Sequence, residues 1–180
     1  SRDPLSEFKA FNPTNWSGFL FSPKPLLTPF QLPSPHAKLI TMTNFADLTT
    51  IAVGGPIASF IEPTSRVGVI EAVEDADAKG LPLCVIGGGS NMLAADTPFD
   101  GVVVRDARHA VSVLDEAAPA ENDGKIVHVN AEAGCNWDDF VDYCVGLGLE
   151  GVEGLSGIPG TVGASVVQNI GAYGQEVASS

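Results

Sequence analysis

The chain has 180 residues, of which 44% are apolar and 17% are charged, and its formal net charge is −13 at pH 7. A surface this acidic excludes a general nucleic-acid binder and a protein that docks on anionic membranes. The apolar stretches are short and interrupted by Pro or Gly, and none approaches the roughly 18 residues that cross a bilayer. Length and composition therefore predict a globular protein of one or two domains, with no nucleic-acid or membrane partner.

Cysteine and histidine usage indicates neither a disulfide framework nor a metal site. Cys84, Cys135 and Cys144 form no Cys-x-x-Cys pair, and the three histidines lie far apart, without ligand spacing. We expect the thiols to be small buried groups in a cytoplasmic protein, and we assign no metal.

Residues 1–41 differ in composition from the rest of the chain. They hold seven of the thirteen prolines, whereas residues 42–180 carry twenty acidic residues against five basic ones. Proline at this density blocks regular elements. The contrast predicts a disordered or non-native Pro-rich extension over residues 1–41 and a domain over residues 42–180, with Met42 as its expected natural start.

The rest of the chain predicts an α+β order of elements. Alternating apolar residues indicate strands at residues 57–61, 82–86, 101–105, 111–114 and 126–131. One helix is predicted from a cap at Thr64 or Ser65 to about Lys79, and a second from a cap at Asn136 to Gly146. The residues expected on the buried face of the first helix are Val69, Ile70, Val73 and Ala76.

A first glycine segment follows the strand at residues 82–86 directly. Gly87, Gly88 and Gly89 allow a sharp turn whose successive amides form a concavity suited to a phosphate, and Ser90 and Asn91 add neutral donors. The segment is neither a Rossmann fingerprint, which lacks its third glycine here, nor a P-loop, which needs Gly-Lys-Ser/Thr. A tight turn without a ligand is the alternative.

A second glycine segment spans residues 151–174. Pro159 suits the first turn of a short helix, and Gly160 and Gly163 are expected to leave the amides of that helix unshielded, an arrangement that favours a diphosphate. A mobile glycine loop is the alternative. The G-x-G-x-x-G spacing at residues 146–151 follows a helix rather than a strand, and we reject it as a dinucleotide site.

Neither glycine segment contains a lysine or an arginine. A phosphate bound here must therefore be held by backbone amides and hydroxyls rather than by cations. This fits a large cofactor buried among neutral donors.

Three stretches together resemble the UDP-N-acetylenolpyruvoylglucosamine reductases: IGGGSN at residues 86–91, GIPGTVG at 157–163 and QNIGAYG at 168–174. FADLTT at residues 45–50 looks like the start of that family. The resemblance covers roughly residues 43–176. It implies an α+β FAD-binding domain of the p-cresol methylhydroxylase type, with two lobes and the flavin between them, incomplete at its C-terminus and without the substrate-binding domain.

The resemblance also implies roles for particular residues. It places the FAD diphosphate at residues 87–91 and Tyr173 on the substrate side. The residues that it places along the flavin are Pro159, Gly160, Val162, Gly163, Ala164, Ile170 and Gly171.

The family's reaction belongs to peptidoglycan precursor synthesis, and hence to cell wall biogenesis, cell shape and cell division. NADPH reduces FAD, and the reduced flavin passes hydride to UDP-N-acetylglucosamine enolpyruvate, giving UDP-N-acetylmuramate. The family's catalytic Arg, Ser and Glu fall beyond residue 180. No catalytic residue is therefore assigned, and the 180 residues alone are expected to be inactive.

Two alternatives remain open. The chain could be a non-catalytic FAD-binding module or a decayed gene product that lacks the catalytic domain. Another flavin oxidase of the same superfamily would often offer a His or Cys for covalent attachment, and neither residue occurs between Val85 and Val104.

Overall fold

The computed structural model describes residues 37–40, 43–114 and 127–180. The strands in these residues are β1 (Ala37–Ile40), β2 (Ile57–Pro63), β3 (Leu83–Ile86), β4 (Phe99–Arg105), β5 (Val111–Val113), β6 (Val129–Ala131), β7 (Gly171–Ala172) and β8 (Gln175–Glu176). The α-helices are α1 (Arg66–Ala78), α2 (Trp137–Gly146) and α3 (Val162–Gln168). Short 3-10 turns occupy Phe45–Asp47, Glu153–Leu155 and Val177–Ser179.

Four strands form the main sheet, in the order β1-β2-β4-β3. Strands β2, β4 and β3 run parallel, and β1 pairs with β2 in the antiparallel sense. Helix α1 connects β2 to β3, as a crossover between parallel strands requires. The strands predicted at residues 57–61, 82–86 and 101–105 are confirmed as β2, β3 and β4, with ends shifted by one or two residues.

Strand β1 lies inside the stretch predicted to be a Pro-rich extension. Lys38 is paired with Glu62 and Leu39 with Ile61, so the edge of β2 is covered by this short strand. The prediction of a disordered or non-native extension as far as residue 41 did not include this pairing, because a run of only four residues carries no strong strand pattern. The remainder of that prediction, residues 1–36 and 41, lies outside the described residues.

Helix α1 begins as predicted and Ala76 is buried as predicted, but the other residues of the predicted inner face are not fully buried. The Ser65 hydroxyl accepts a hydrogen bond from Gly68 N at 3.1 Å, which fixes the N-cap. The buried residues are Gly68, Ala72 and Ala76, whereas Ile70, predicted on the inner face, is 45% exposed. Small residues bring the helix backbone close to the sheet, so its larger apolar side chains lie at the flanks.

The second half of the described chain is built around α2. Asn136 caps this helix, as predicted, by accepting from the backbone amides of Asp138 and Asp139. Trp137, Val141 and Leu155 form a core beneath it, and Trp137 Nε1 donates to the Leu155 carbonyl at 2.9 Å. Ala172 of the hairpin β7–β8 packs against this core, and β5 and β6 form a two-stranded antiparallel sheet of their own.

Helix α3 starts later than the sequence indicates. Its N-cap is Thr161, whose hydroxyl accepts from Ala164 N at 3.4 Å, so Pro159 precedes the helix instead of entering its first turn. The carbonyl of Gly160 is used by Trp137 N at 3.1 Å, which holds the chain extended before the cap. Across residues 43–114 and 127–180, no helix has the length and apolar content needed to cross a membrane.

Candidate functional site

The first glycine segment forms a loop at the carboxyl end of β3, pressed against residues 48–50. The Gly89 carbonyl accepts a hydrogen bond from Thr50 N at 3.0 Å. Gly89 has a φ of +70°, and a Cβ at this position would overlap the Leu48 carbonyl oxygen. Only glycine avoids both problems, so the path of this loop depends on that residue.

The loop also contacts the second glycine segment directly. Ser90 Oγ donates to the Pro159 carbonyl at 3.0 Å, and Asn91 Nδ2 donates to Gln168 Oε1 at 3.0 Å. A Cβ on Gly87 would lie 2.8 Å from the Ala164 Cβ. Residues 69 or more positions apart in sequence thus meet here, and the two glycine segments line one cleft.

Two cavities lie along this cleft, with volumes of about 510 and 140 Å³. Seven predicted site residues line the larger one: Gly87, Gly88, Gly89, Ser90, Asn91, Gly163 and Ala164. Pro159, Gly160 and Ile170 line the smaller one, together with Ser90, Asn91 and Ala164. The five residues shared by both cavities, which include the Asn91–Gln168 pair, make them neighbouring parts of the same site.

Three predicted site residues line neither of these cavities. Val162 packs against the core beneath α2, and Gly171 lies in β7. Tyr173 occupies the turn between β7 and β8 with a φ of +51° and is 95% exposed. The structure thus brings most of the predicted set together and leaves these three outside.

Sequence reasoning missed several lining residues: Val85, Met92, Asp106, Ala133, Thr161, Val167 and Gln168. Val167 and Gln168 follow Ala164 by three and four residues on α3. That spacing places them on one helical face, so periodicity could have found them. Asp106 and Ala133 approach the cavity through tertiary packing, for which the sequence carries no local signal.

Several backbone amides of the first loop lack an acceptor in the described structure. Within residues 43–114 and 127–180, the amides of Gly88, Gly89, Ser90 and Asn91 have no protein acceptor. Four amides on one tight turn, beside a cavity, form the kind of concavity that binds anions. That these amides hold a phosphate, as predicted for residues 87–91, stays a prediction.

The amides at the start of α3 are, by contrast, already used. Val162 N donates to the Cys135 carbonyl and Gly163 N to the Ala133 carbonyl, both at 2.9 Å. A Cβ on Gly163 would lie 2.8 Å from the Ala133 Cβ. The prediction of bare amides here is therefore wrong: the glycine allows α3 to pack closely on residue 133, and that packing occupies the amides.

Acidic and amide side chains take up further amides of the second segment. Gly157 N donates to Asp138 Oδ1 at 2.6 Å, and Gly154 N donates to Gln175 Oε1 at 2.8 Å. The bond from Gly157, with a second from Ser156 Oγ, lowers the pKa of Asp138 below its ordinary value. The acceptors for these amides are thus supplied by side chains of the protein, one of them charged and one neutral.

One ionisable residue, Asp106, is among those lining the two cavities. Arg108 Nη2 donates to Asp106 Oδ2 at 2.6 Å and Arg108 Nε to Asp106 Oδ1 at 2.9 Å. The hydrogen bond to Asp106 is the largest cause that raises the pKa of Arg108 above its ordinary value. Arg108 also approaches Glu132, at 3.5 Å. The carboxylate at the cavity wall therefore carries its own counter-charge.

Comparison with known proteins gives a consistent family. Residues 56–180 match the family described as FAD binding domain. The UDP-N-acetylenolpyruvoylglucosamine reductase of Thermobifida fusca is 46% identical over 135 residues, which cover 75% of this chain and 36% of that protein. The enzyme of the same name from Saccharopolyspora erythraea is 47% identical over 132 residues, covering 73% and 34%. The chain thus spans about a third of the length of these curated relatives.

A solved structure agrees. The crystal structure of UDP-N-acetylenolpyruvylglucosamine reductase from Thermus caldophilus superposes with a TM-score of 0.58 at 29% identity, covering 79% of this chain and 46% of that one. The predicted fold class, an α+β domain of the p-cresol methylhydroxylase type, is confirmed.

Proposed function

Because the chain belongs to the family of FAD-binding domains, we propose that the cleft between residues 87–91 and α3 binds FAD. The free amides of Gly88, Gly89, Ser90 and Asn91 are the observation that carries this proposal. They offer four donors in a turn at the edge of a cavity, and a diphosphate is the ligand that such donors stabilise best.

The cavities fit such a cofactor in size and character. A volume of about 510 Å³, extended by the neighbouring 140 Å³, falls within the ~300–1,000 Å³ typical of cofactor sites. The walls combine apolar side chains such as Val85, Met92 and Val167 with a few neutral donors. An uncharged flavin ring and a diphosphate could both be accommodated, the second by main-chain groups. FAD itself would supply hydride transfer.

We further propose that the chain is the FAD-binding portion of a UDP-N-acetylenolpyruvoylglucosamine reductase. The identity of 46–47% to proteins of that name supports it, as do the cavity-lining residues that each of the three resembling stretches contributes. FAD held by the cleft residues would carry hydride from NADPH to UDP-N-acetylglucosamine enolpyruvate, which would give UDP-N-acetylmuramate, and we place this reaction in the cytoplasm. Tyr173, an exposed residue of the second glycine segment, is proposed to face the substrate.

The chain's own residues are proposed to bind and orient the cofactor, not to complete the reaction. In the described residues, neither cavity is lined by a lysine or an arginine. The phosphates of NADPH and of the sugar nucleotide therefore find no cation at these walls. We expect the 180 residues alone to bind FAD without turnover.

The test is a titration of the full 180-residue chain with FAD, followed by flavin absorbance after gel filtration and by fluorescence for the dissociation constant. Two matched variants, Val167→Glu and Val166→Glu, make the same charge change at adjacent positions of α3. Val167 lines the larger cavity and is 87% exposed, whereas Val166 is 63% exposed and lines neither cavity.

We expect the wild-type chain to retain FAD and Val167→Glu to bind it about three- to tenfold more weakly, because a carboxylate at the rim repels the diphosphate. Val166→Glu should bind like the wild type. A colourless chain after gel filtration with excess FAD would contradict the proposal. Equal weakening by both variants would contradict the location of the site.

A further inference from the structure

Asp106 places a carboxylate at the wall of the cavity that we propose binds the FAD diphosphate. Asp106 follows β4 directly, and its side chain is 14% exposed beside the cavity that the loop of residues 87–91 borders. An uncompensated negative charge here would oppose a diphosphate, because charges at the wall of a partly dehydrated cavity are screened only weakly.

Arg108 meets this carboxylate in a forked geometry. Its Nε and Nη2 both reach Asp106, at 2.6–3.1 Å, and its own backbone amide donates to Asp106 Oδ1 at 3.0 Å. Paired donors of this kind hold a carboxylate in one orientation. The Arg108 side chain is itself only 19% exposed. The pair is therefore a built feature of the cavity wall and not a mobile surface contact.

A second carboxylate keeps Arg108 in place. Arg108 Nη1 lies 3.5 Å from Glu132 Oε1, and Glu132 Oε2 accepts a hydrogen bond from Ala110 N at 2.9 Å. Glu132 directly precedes Ala133, which also lines the cavity. The guanidinium thus joins the end of β4 to the end of β6 at the cavity wall.

We propose that Arg108 is a positioning residue for anion binding: by neutralising Asp106 it sets the electrostatic potential of the cavity at a level that admits the FAD diphosphate. The proposal rests on the proposed function. Arg108 contacts Asp106 and need not contact the cofactor, so it would affect FAD binding only through the charge of Asp106.

The experiment measures FAD and riboflavin dissociation constants for the full chain and three variants: Asp106→Asn, Arg108→Gln and the double variant. We expect Arg108→Gln to weaken FAD binding about tenfold and Asp106→Asn to tighten it about threefold. The double variant should lie within about threefold of the wild type, because neither charge remains. Riboflavin, which has no phosphate, should bind all four proteins alike.

The tightening by Asp106→Asn cannot arise from misfolding, so it keeps the test decisive if Arg108→Gln folds poorly. Arg105→Gln is the matched control. It removes the same positive charge, but Arg105 pairs with Glu62 and lines neither cavity. It should change FAD affinity by less than about twofold.

The outcomes distinguish the positioning role of Arg108 from the proposed FAD-binding function. Equal shifts for FAD and riboflavin would assign Arg108 a purely structural role and overturn the inference. FAD binding by the wild type without the expected order of affinities would overturn it too, while leaving the proposed function intact. Failure of the wild type to bind FAD would overturn the proposed function, and the inference with it.

Discussion

The two glycine segments look alike in sequence but differ in what their backbone amides do. In the loop of residues 87–91 the amides of Gly88, Gly89, Ser90 and Asn91 have no acceptor among the described residues. In the second segment Gly157 N is bound by a carboxylate, and Val162 N and Gly163 N are bound by carbonyls. Glycine density alone therefore does not identify an anion site.

The difference follows from what each glycine allows. Gly89 lets the loop take a left-handed conformation against Leu48, and the amides of residues 88–91 have no acceptor among the described residues. Gly163 lets α3 approach Ala133, and the close approach itself creates the hydrogen bonds that use up the amides. The loop around Gly89 thus keeps amide donors without an acceptor, whereas the packing that Gly163 permits leaves its neighbouring amides hydrogen-bonded.

The largest expected effect tests the first loop. Gly89→Ala forces a side chain into a positive φ and onto the Leu48 carbonyl, so we expect it to lower the free energy of unfolding by about 3 kcal/mol and to abolish FAD binding. Urea denaturation and FAD titration measure both. Gly146→Ala is the matched control, because a Cβ there meets nothing within 4 Å. An unchanged Gly89→Ala variant would remove the structural basis of the loop.

The next effect tests packing in the second segment. Gly163→Ala should lower the free energy of unfolding by about 2 kcal/mol, because its Cβ would overlap Ala133. Adding Ala133→Gly removes the overlapping methyl group and should restore at least half of that loss. Denaturation of the single and double variants measures the rescue. Destabilisation that Ala133→Gly does not relieve would show that Gly163 is needed for another reason.

A smaller effect tests the contact between the two segments. Asn91→Ala and Gln168→Ala each remove the exposed Asn91–Gln168 hydrogen bond, and a double-mutant cycle should give a coupling of about 0.5 kcal/mol in the free energy of unfolding. With FAD bound, the coupling should change, because both residues line both cavities. Strictly additive effects in the free and loaded protein would mean that the contact does not matter to the site.

The smallest effect concerns the carboxylate that occupies Gly157 N. Its bonds lower the pKa of Asp138, so the ionised form is favoured in the folded state. This contribution to stability is complete above the ordinary aspartate pKa and is lost as pH falls through the lowered value. Asp138→Asn keeps an acceptor oxygen but no titration. Its stability should therefore fall less steeply than that of the wild type when pH is lowered below the ordinary aspartate range, in thermal unfolding across pH.

Identical pH slopes for Asp138→Asn and the wild type would contradict this. They would mean that the amide of Gly157 is not held by charge in solution. The second segment would then resemble the first loop more closely than the structure indicates.

Much of the fold could be predicted because its signals are local. Ser65 and Asn136 cap their helices as expected, since a cap side chain bonds amides two or three residues away. The loop of residues 87–91 lines the larger cavity, but its predicted role in phosphate binding stays a prediction.

The parts that could not be predicted depend on contacts distant in sequence. Whether an amide of α3 is free depends on Cys135 and Ala133, and nothing near Gly163 reveals them. The buried face of α1 is made of Gly68, Ala72 and Ala76 because the helix lies close to the sheet, whereas a hydrophobicity pattern favours larger residues. The Asp106–Arg108 pair is local, but its position at the cavity is not.

The most direct test of the central claim follows individual backbone amides by NMR as FAD is added to the isotope-labelled chain. The account predicts large shifts and slowed hydrogen exchange for the amides of Gly88, Gly89, Ser90 and Asn91, which have no acceptor in the described structure. It predicts little change for Val162 and Gly163, whose amides are already bonded. Protection gained at Val162 and Gly163, with none at residues 88–91, would contradict it.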